Sequence, residues 1–170
     1  ILPSLLRRLK PGDAFRAWCA GCATGEEVYS LAILLADYFG PALKDHDIKL
    51  YATDHDEQAL NIARRGEYDE IRLNRVRPEW RVQYFSGASN LRRVQRDLRR
   101  LVIFGRSNLV SDAPISHVKL LVCRNVLIYF NLELQRRVLQ RFRYALEDGG
   151  VLFLGKSESQ LRELPDFAPL

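Results

Sequence analysis

The stretch from Phe15 to Leu35, FRAWCAGCATGEEVYSLAILL, sets the tightest limit on how this chain folds. Phe15 to Ala20 is an apolar run of strand length. Gly21-Cys22-Ala23-Thr24-Gly25 is a turn of small residues. From Glu26 onward, Val28, Leu31, Ala32, Leu35 and Phe39 recur at the spacing of one helix face. Strand, glycine turn and helix start, in that order, build the place where α/β proteins hold nucleotide-like ligands.

The rest of the chain alternates in the same way. A short helical piece, Leu5 to Leu9, is expected to stop at Pro11-Gly12. Gly40-Pro41 ends the long helix. Ile48 to Thr53 reads as a second strand running into Asp54. Asp56 caps a helix over Glu57 to Arg65, and Gly66 closes it. The alternation lapses after Gly66. Residues 67–100 are polar, Arg-rich and aromatic, with a short helix started by Pro78. Leu91 to Gln95 and Leu98 to Phe104 read as two tightly joined strands, which predicts an inserted antiparallel piece. Val118 to Cys123 is then a fully apolar strand apart from Lys119. Asn131 caps a helix carrying Val138, Leu139, Phe142, Ala145 and Leu146 on one face. Gly149-Gly150 ends that helix, and Val151 to Leu154 is a last strand. Strands apolar on both faces and separated by helices predict a parallel sheet covered by helices, an α/β fold.

A chain of 170 residues is long enough to bury one core. No apolar run approaches the roughly 20 residues that span a bilayer, and no secretory signal is visible. The chain has no Met and begins at Ile1, which predicts a piece of a longer protein. Three cysteines fit a reducing, cytoplasmic setting. Cys19-Ala-Gly-Cys22 matches C-x-x-C, but no second pair or His pair completes a zinc site, and Cys19 falls on a buried strand. No metal is expected. His46, His55 and His117 read as loop or surface residues. Ten arginines and only two acids, Glu79 and Asp97, lie between Arg72 and Arg106. That is either a solvated face or a docking surface for an acidic partner.

In open α/β sheets, ligands bind beyond the carboxyl ends of the strands. The residues there are Gly21 to Glu27, Asp54, Asn108-Leu109, Arg124-Asn125, and Gly155-Lys156-Ser157-Glu158. Gly21 and Gly25 let the backbone approach a ligand. Two acids, Glu26 and Glu27, would repel a phosphate from the helix start and attract an ammonium group. No G-x-G-x-x-G and no Walker lysine is present. Asp54 is placed to accept hydrogen bonds from both hydroxyls of a ribose. A ribose and a cationic end without phosphates describe S-adenosylmethionine.

The runs AGCATGEEVYSLA, ATDHDEQALNIARRGEYDE, VCRNVLIYFN and LEDGGVLFLGKSES closely resemble the CheR-type chemotaxis receptor methyltransferases, in family order and over nearly the whole chain. The flanking DLRRLVIFGRSNLV and DAPISHVKLLVCRN look most like CheR domains of fusion proteins with CheB and PAS modules. The resemblance implies a Rossmann-like S-adenosylmethionine-dependent methyltransferase sheet with a small antiparallel β subdomain inserted at about 67–100. It implies methyl transfer to glutamate side chains of chemoreceptors, with S-adenosylhomocysteine as product.

The resemblance also implies roles residue by residue. Glu27 would bind the amino group of the methionine part and Asp54 the ribose hydroxyls. Asn108 and Leu109 would lie against adenine, beside the turn at Gly21. Arg124 and Asn125 match the ligand-contacting pair, and Tyr129 matches a tyrosine near the reactive sulfonium. Arg124 and Tyr129 are thus the candidates for positioning the reactants. The subdomain would face glutamate-rich receptor helices. Some members tether a receptor pentapeptide there through a glycine-containing loop, whereas the turn taken as equivalent, Gln95-Arg96-Asp97, has no glycine. Family members carry an upstream N-x-T-x-F-F-R motif and a terminal antiparallel hairpin, so the chain is expected to be truncated at both ends and this fragment to be compromised in turnover. Two rival readings are a non-catalytic cofactor-sensing or docking module, and a methyltransferase acting on another substrate such as RNA.

Overall fold

In a computed structural model that describes residues 2–7, 9, 12–87, 90–158 and 167–168, the first apolar run forms strand β1 (Ala14–Ala20). It pairs in parallel with β2 (Asp47–Asp54) on one side and β7 (Val118–Cys123) on the other. β6 (Val102–Arg106) lies beyond β2, and β8 (Leu146–Leu154) lies beyond β7, both parallel. The order is β6-β2-β1-β7-β8. Successive strands run outward in one direction from β1 to β6 and then in the other from β7 to β8. The switch falls between β1 and β7, where such sheets open a crevice at their carboxyl ends.

Side chains of β1 alternate between two cores. Phe15, Ala17 and Cys19 join one, with Leu35 of helix α2 (Glu26–Phe39) and Leu60 of helix α3 (Glu57–Arg65). Trp18 and Ala20 join the other, with Val138, Leu139 and Phe142 of helix α7 (Leu132–Ala145). The sheet is therefore covered on both faces, as the apolar strands require. Trp18 meets Phe142 edge to face at 5.6 Å between ring centres. Its indole N–H donates to the Thr53 hydroxyl at 2.8 Å, so the buried polar group is satisfied.

Local caps act where the sequence places them. Asp56 accepts from the amides of Gln58 and Ala59, Asn131 from that of Leu134, and Gly66 closes α3 in the left-handed region at φ 63°. The first helix, α1, is Leu2–Leu6 rather than Leu5 to Leu9. Pro3 is tolerated in a first turn, where its missing N–H costs nothing. Pro11, its expected stop, lies outside the described residues, as does most of the tail 161–170.

A second sheet, antiparallel and in the order β3-β5-β4, joins β3 (Glu67–Asp69), β5 (Leu91–Val94) and β4 (Phe85–Ser86). Helices α4 (Glu70–Leu73) and α5 (Pro78–Tyr84) connect β3 to β4. Here the sequence reading needs three corrections. Leu98 to Phe104 is not a strand paired with Leu91 to Gln95. Arg96–Arg100 forms a short helix, α6, and Val102–Arg106 joins the main sheet beside β2. The antiparallel β4 and β5 consequently end at Ser86 and begin at Leu91, respectively, with Gly87 (φ 119°) following β4; Gln95-Arg96-Asp97 begins α6. Finally, α7 ends at Ala145 and β8 begins at Leu146, running through Gly149-Gly150. The β7–β8 register shifts between Val118 and Leu120, so the glycines mark an irregular strand start instead of a helix end.

Candidate functional site

The crevice predicted by the strand order is present. A cleft of about 440 Å³ opens beyond the strand ends, lined by Gly21, Asp54, Asn108, Leu109, Val126 and Phe130 among others. It brings together residues from the ends of β1, β2, β6 and β7. The glycine turn is fixed by backbone bonds to β2: the amides of Gly21 and Cys22 donate to the Thr53 carbonyl at 2.8 and 3.0 Å. Gly21 itself (φ 72°) lies against Val126, whose methyl groups occupy the place of any Cβ there. A side chain at position 21 would push apart the two strand ends that bound the cleft.

Asp54 holds the other side of the turn. One carboxylate oxygen accepts from Ala23 N–H at 2.7 Å, and the second accepts from Asp56 N–H at 2.9 Å. Each oxygen retains acceptor capacity toward the cleft. Asn108 shapes the adjoining loop. Its side-chain oxygen accepts from Val110 N–H, and its own N–H donates to Asp112 at 2.8 Å. That amide and the Ser111 hydroxyl hold the Asp112 carboxyl below the usual carboxylate range.

Glu27 and Arg124 border a second, broader cleft of about 760 Å³, together with Tyr29, Ile33, Tyr68 and Leu73. Arg124 Nη1 donates to Glu27 Oε1 at 2.5 Å. Glu26 is engaged as well: Arg72 lies 2.8 Å from its carboxylate, and the Thr24 hydroxyl donates to it. The two acids that the sequence presents bare are thus each paired with an arginine, and their repulsion of an anion is weaker than the sequence suggests. Tyr68 donates to the Thr24 carbonyl at 2.7 Å, so the inserted sheet supports the glycine turn.

The remaining expected residues are placed differently. Asn125 has a left-handed backbone (φ 59°) in the loop after β7 and lines neither cleft. Tyr129 follows it on a single 3-10 turn, 80% exposed and also outside both linings. His55 is an exposed loop residue, as expected, yet it lines the smaller cleft, which sequence reasoning missed. Val126 and Phe130 were also missed, because an apolar side chain carries no chemical signal of ligand contact.

The cysteines are all buried and free. Burial pushes the Cys22 thiol up to about 12, and those of Cys19 and Cys123 higher still. These are packing residues, not reactive thiols. Among the described residues, no group of three or more His, Cys, Asp and Glu is placed to hold a metal, and no helix is long and apolar enough to cross a membrane. Of the ten arginines between 72 and 106, Arg72, Arg81, Arg92, Arg93 and Arg100 are ion-paired, mostly with Glu26, Glu67 and Glu70. The basic field of the insertion is correspondingly diluted.

The donor set suits a nucleoside with an ammonium end: a carboxylate, Asp54, in one cleft, a glycine where the wall of that cleft is closest, and an acid, Glu27, bordering the second cleft. A family model described as "CheR methyltransferase, SAM binding domain" matches residues 1–168. A probable chemotaxis protein methyltransferase of Rhizobium etli is 39% identical over 163 residues, 93% of this chain and 60% of that protein. An uncharacterized 104.1 kDa protein of Rhodobacter capsulatus is 36% identical over 170 residues, all of this chain but 18% of that protein. The chain thus spans less than two thirds of these relatives. The solved structure of the DszA carbon methyltransferase shares the fold at a TM-score of 0.57 and 16% identity, over 90% of this chain and 31% of that one.

Proposed function

Since the chain belongs to the CheR methyltransferase family as its S-adenosylmethionine-binding domain, we propose that it serves methyl transfer from S-adenosylmethionine to glutamate side chains of chemoreceptors. The observation that supports this most is the convergence of Gly21, Asp54, Asn108 and Leu109 on one cleft at the strand-order switch, with the paired Glu27 and Arg124 bordering the second cleft. When bound, the cofactor supplies a methyl group made electrophilic by its sulfonium.

The tasks of the chain's own residues follow from their chemistry. Asp54 accepts from the ribose hydroxyls through the lone pairs its backbone partners leave free. Asn108 and Leu109 flank the base. Glu27 accepts from the amino group and shares its charge with Arg124. Asn125 sets the bend that presents Arg124. Arg124 and the exposed Tyr129 are available to position an acceptor carboxylate docked over the site. A glutamate side chain has an ordinary pKa of about 4.3, so it arrives ionised and needs no general base. What remains is alignment and exclusion of water, the contributions a rigid cleft makes. The glutamate-rich partner would meet the inserted segment, where Arg75 in the link between α4 and α5 and Arg96 at the start of α6 are exposed.

The test is transfer of labelled methyl from S-adenosylmethionine to receptor-containing membranes by the longer protein of which this chain is expected to be a piece. The expected product is an alkali-labile ester on the receptor. Label on RNA instead, or binding of S-adenosylhomocysteine with no transfer to any receptor, would overturn the reading.

A further inference from the structure

Glu158 is a charged side chain that the site as described does not use. It is 2% exposed, in the turn that follows β8. Its Oε1 accepts from the Val126 N–H at 3.1 Å. Its Oε2 is buried without a partner among the described residues. The turn is closed by Glu158 N–H donating to the Gly155 carbonyl at 3.1 Å. A Cβ on Gly155 would overlap Glu158 Oε2 and sit 3.3 Å from the Asn125 amide.

The carboxylate therefore reaches across from the end of β8 to the loop after β7. That loop bends sharply at Asn125 (φ 59°), in the left-handed region that Asn adopts more readily than most L-residues. Two functional side chains flank the bend. Val126 packs directly against Gly21 in the wall of the smaller cleft, and Arg124 meets Glu27 at the larger one. Burying a carboxylate for one amide bond is expensive, and a space-filling side chain would avoid that cost. The expense is understandable if the amide it holds must not move.

We propose that Glu158 is a positioning residue: it fixes the backbone of Arg124–Val126, and through it both the cleft wall packed against Gly21 and the arginine paired with Glu27. Gly155 is its necessary companion, because only the absence of a side chain leaves room for the carboxylate. The inference rests on the cofactor cleft proposed above.

Three variants test it. Glu158→Gln keeps a carbonyl oxygen for the Val126 amide, whereas Glu158→Leu removes it. Gly155→Ala displaces the carboxylate without touching it chemically. Hydrogen exchange of the 124–126 amides needs no ligand. It should accelerate about tenfold, the worth of one lost hydrogen bond, in Glu158→Leu and Gly155→Ala but not in Glu158→Gln. Affinity for S-adenosylhomocysteine by calorimetry should fall about 10- to 100-fold in the same two variants and recover in Glu158→Gln. Unchanged exchange in Glu158→Leu overturns the proposal. So does faster exchange with undiminished affinity, which would make Glu158 a structural tie alone. If the wild-type protein fails to bind S-adenosylhomocysteine, the cofactor reading falls, while the exchange data still judge the tie.

Discussion

Removing the carboxylate of Asp54 should weaken nucleoside binding in proportion to the ribose hydroxyls the ligand carries. Both carboxylate oxygens already accept one backbone N–H, at 2.7 and 2.9 Å, and each keeps lone-pair capacity on the cleft side. A hydrogen bond to a charged group contributes about 1.5–3 kcal/mol, so two hydroxyls give about 3–6 kcal/mol gross. Asp54 is half-buried, and water competes for it, which brings the net to about 2–3 kcal/mol. The assay is calorimetry on a cycle of four pairs: wild type and Asp54→Ala, each with adenosine and with 2′,3′-dideoxyadenosine. Asp54→Ala also loosens the glycine turn, but that loss affects both ligands alike and cancels in the cycle. The expected coupling corresponds to about 30- to 150-fold in Kd. Additive losses, within about 0.5 kcal/mol, would show that Asp54 only braces the turn and would refute its role toward the ribose.

Gly25→Ala should cost about 3 kcal/mol. Part comes from its φ of 90°, and part from a Cβ that would lie 2.9 Å from Ala63 Cβ and 3.1 Å from the Tyr68 hydroxyl. Urea unfolding with an unchanged slope and a lowered midpoint checks this; a loss below about 1 kcal/mol refutes it. The three thiols should resist iodoacetamide in the native protein at pH 8, since burial raises all of them. A raised folded-state pKa contributes stability that is whole below the unfolded value of 9.0 and is lost as pH climbs through the folded one. For Cys22 the unfolding free energy should therefore fall between pH 9.0 and about 12, as denaturation at stepped pH would show.

Much of the fold is legible because local signals and the sheet agree. β1, the glycine turn and α2 follow from an apolar run, two glycines and one helical stripe. β7 is bounded as expected because its residues are apolar apart from Lys119 and are flanked by polar ones. β6 was legible as a strand but not as a member of the main sheet. Periodicity reports that a segment is extended, not which neighbour it joins, and Leu98 belongs to a short helix that redirects the chain. Gly149-Gly150 misled for a related reason: a glycine pair reads as a helix end, whereas here it accommodates a register shift. At the site, charge and glycine announced Gly21, Asp54 and Glu27. Their partners are set by long-range packing. Arg124 reaches Glu27 and Tyr68 reaches Thr24 across 97 and 44 residues. Val126 and Glu158 matter through where they sit, and a sequence without its fold gives no position in space.

The inserted antiparallel sheet leaves and rejoins the chain at nearly one point. Gly66, where it departs, accepts a hydrogen bond from Val94, where it returns, at 2.9 Å. Arg99 of the following helix lies 3.1 Å from the place of a Gly66 Cβ, as does the hydroxyl of Tyr29 in α2. Such a tied stem lets the outer part of the excursion vary in length and sequence with little displacement reaching the main sheet. Its inner part is not free in that way, because Tyr68 holds Thr24 and Arg72 holds Glu26. A segment grafted from a homologue at the same two cuts would leave the cleft as it is only if it kept those two contacts, so the excursion is at once a replaceable tip and a brace for the glycine turn.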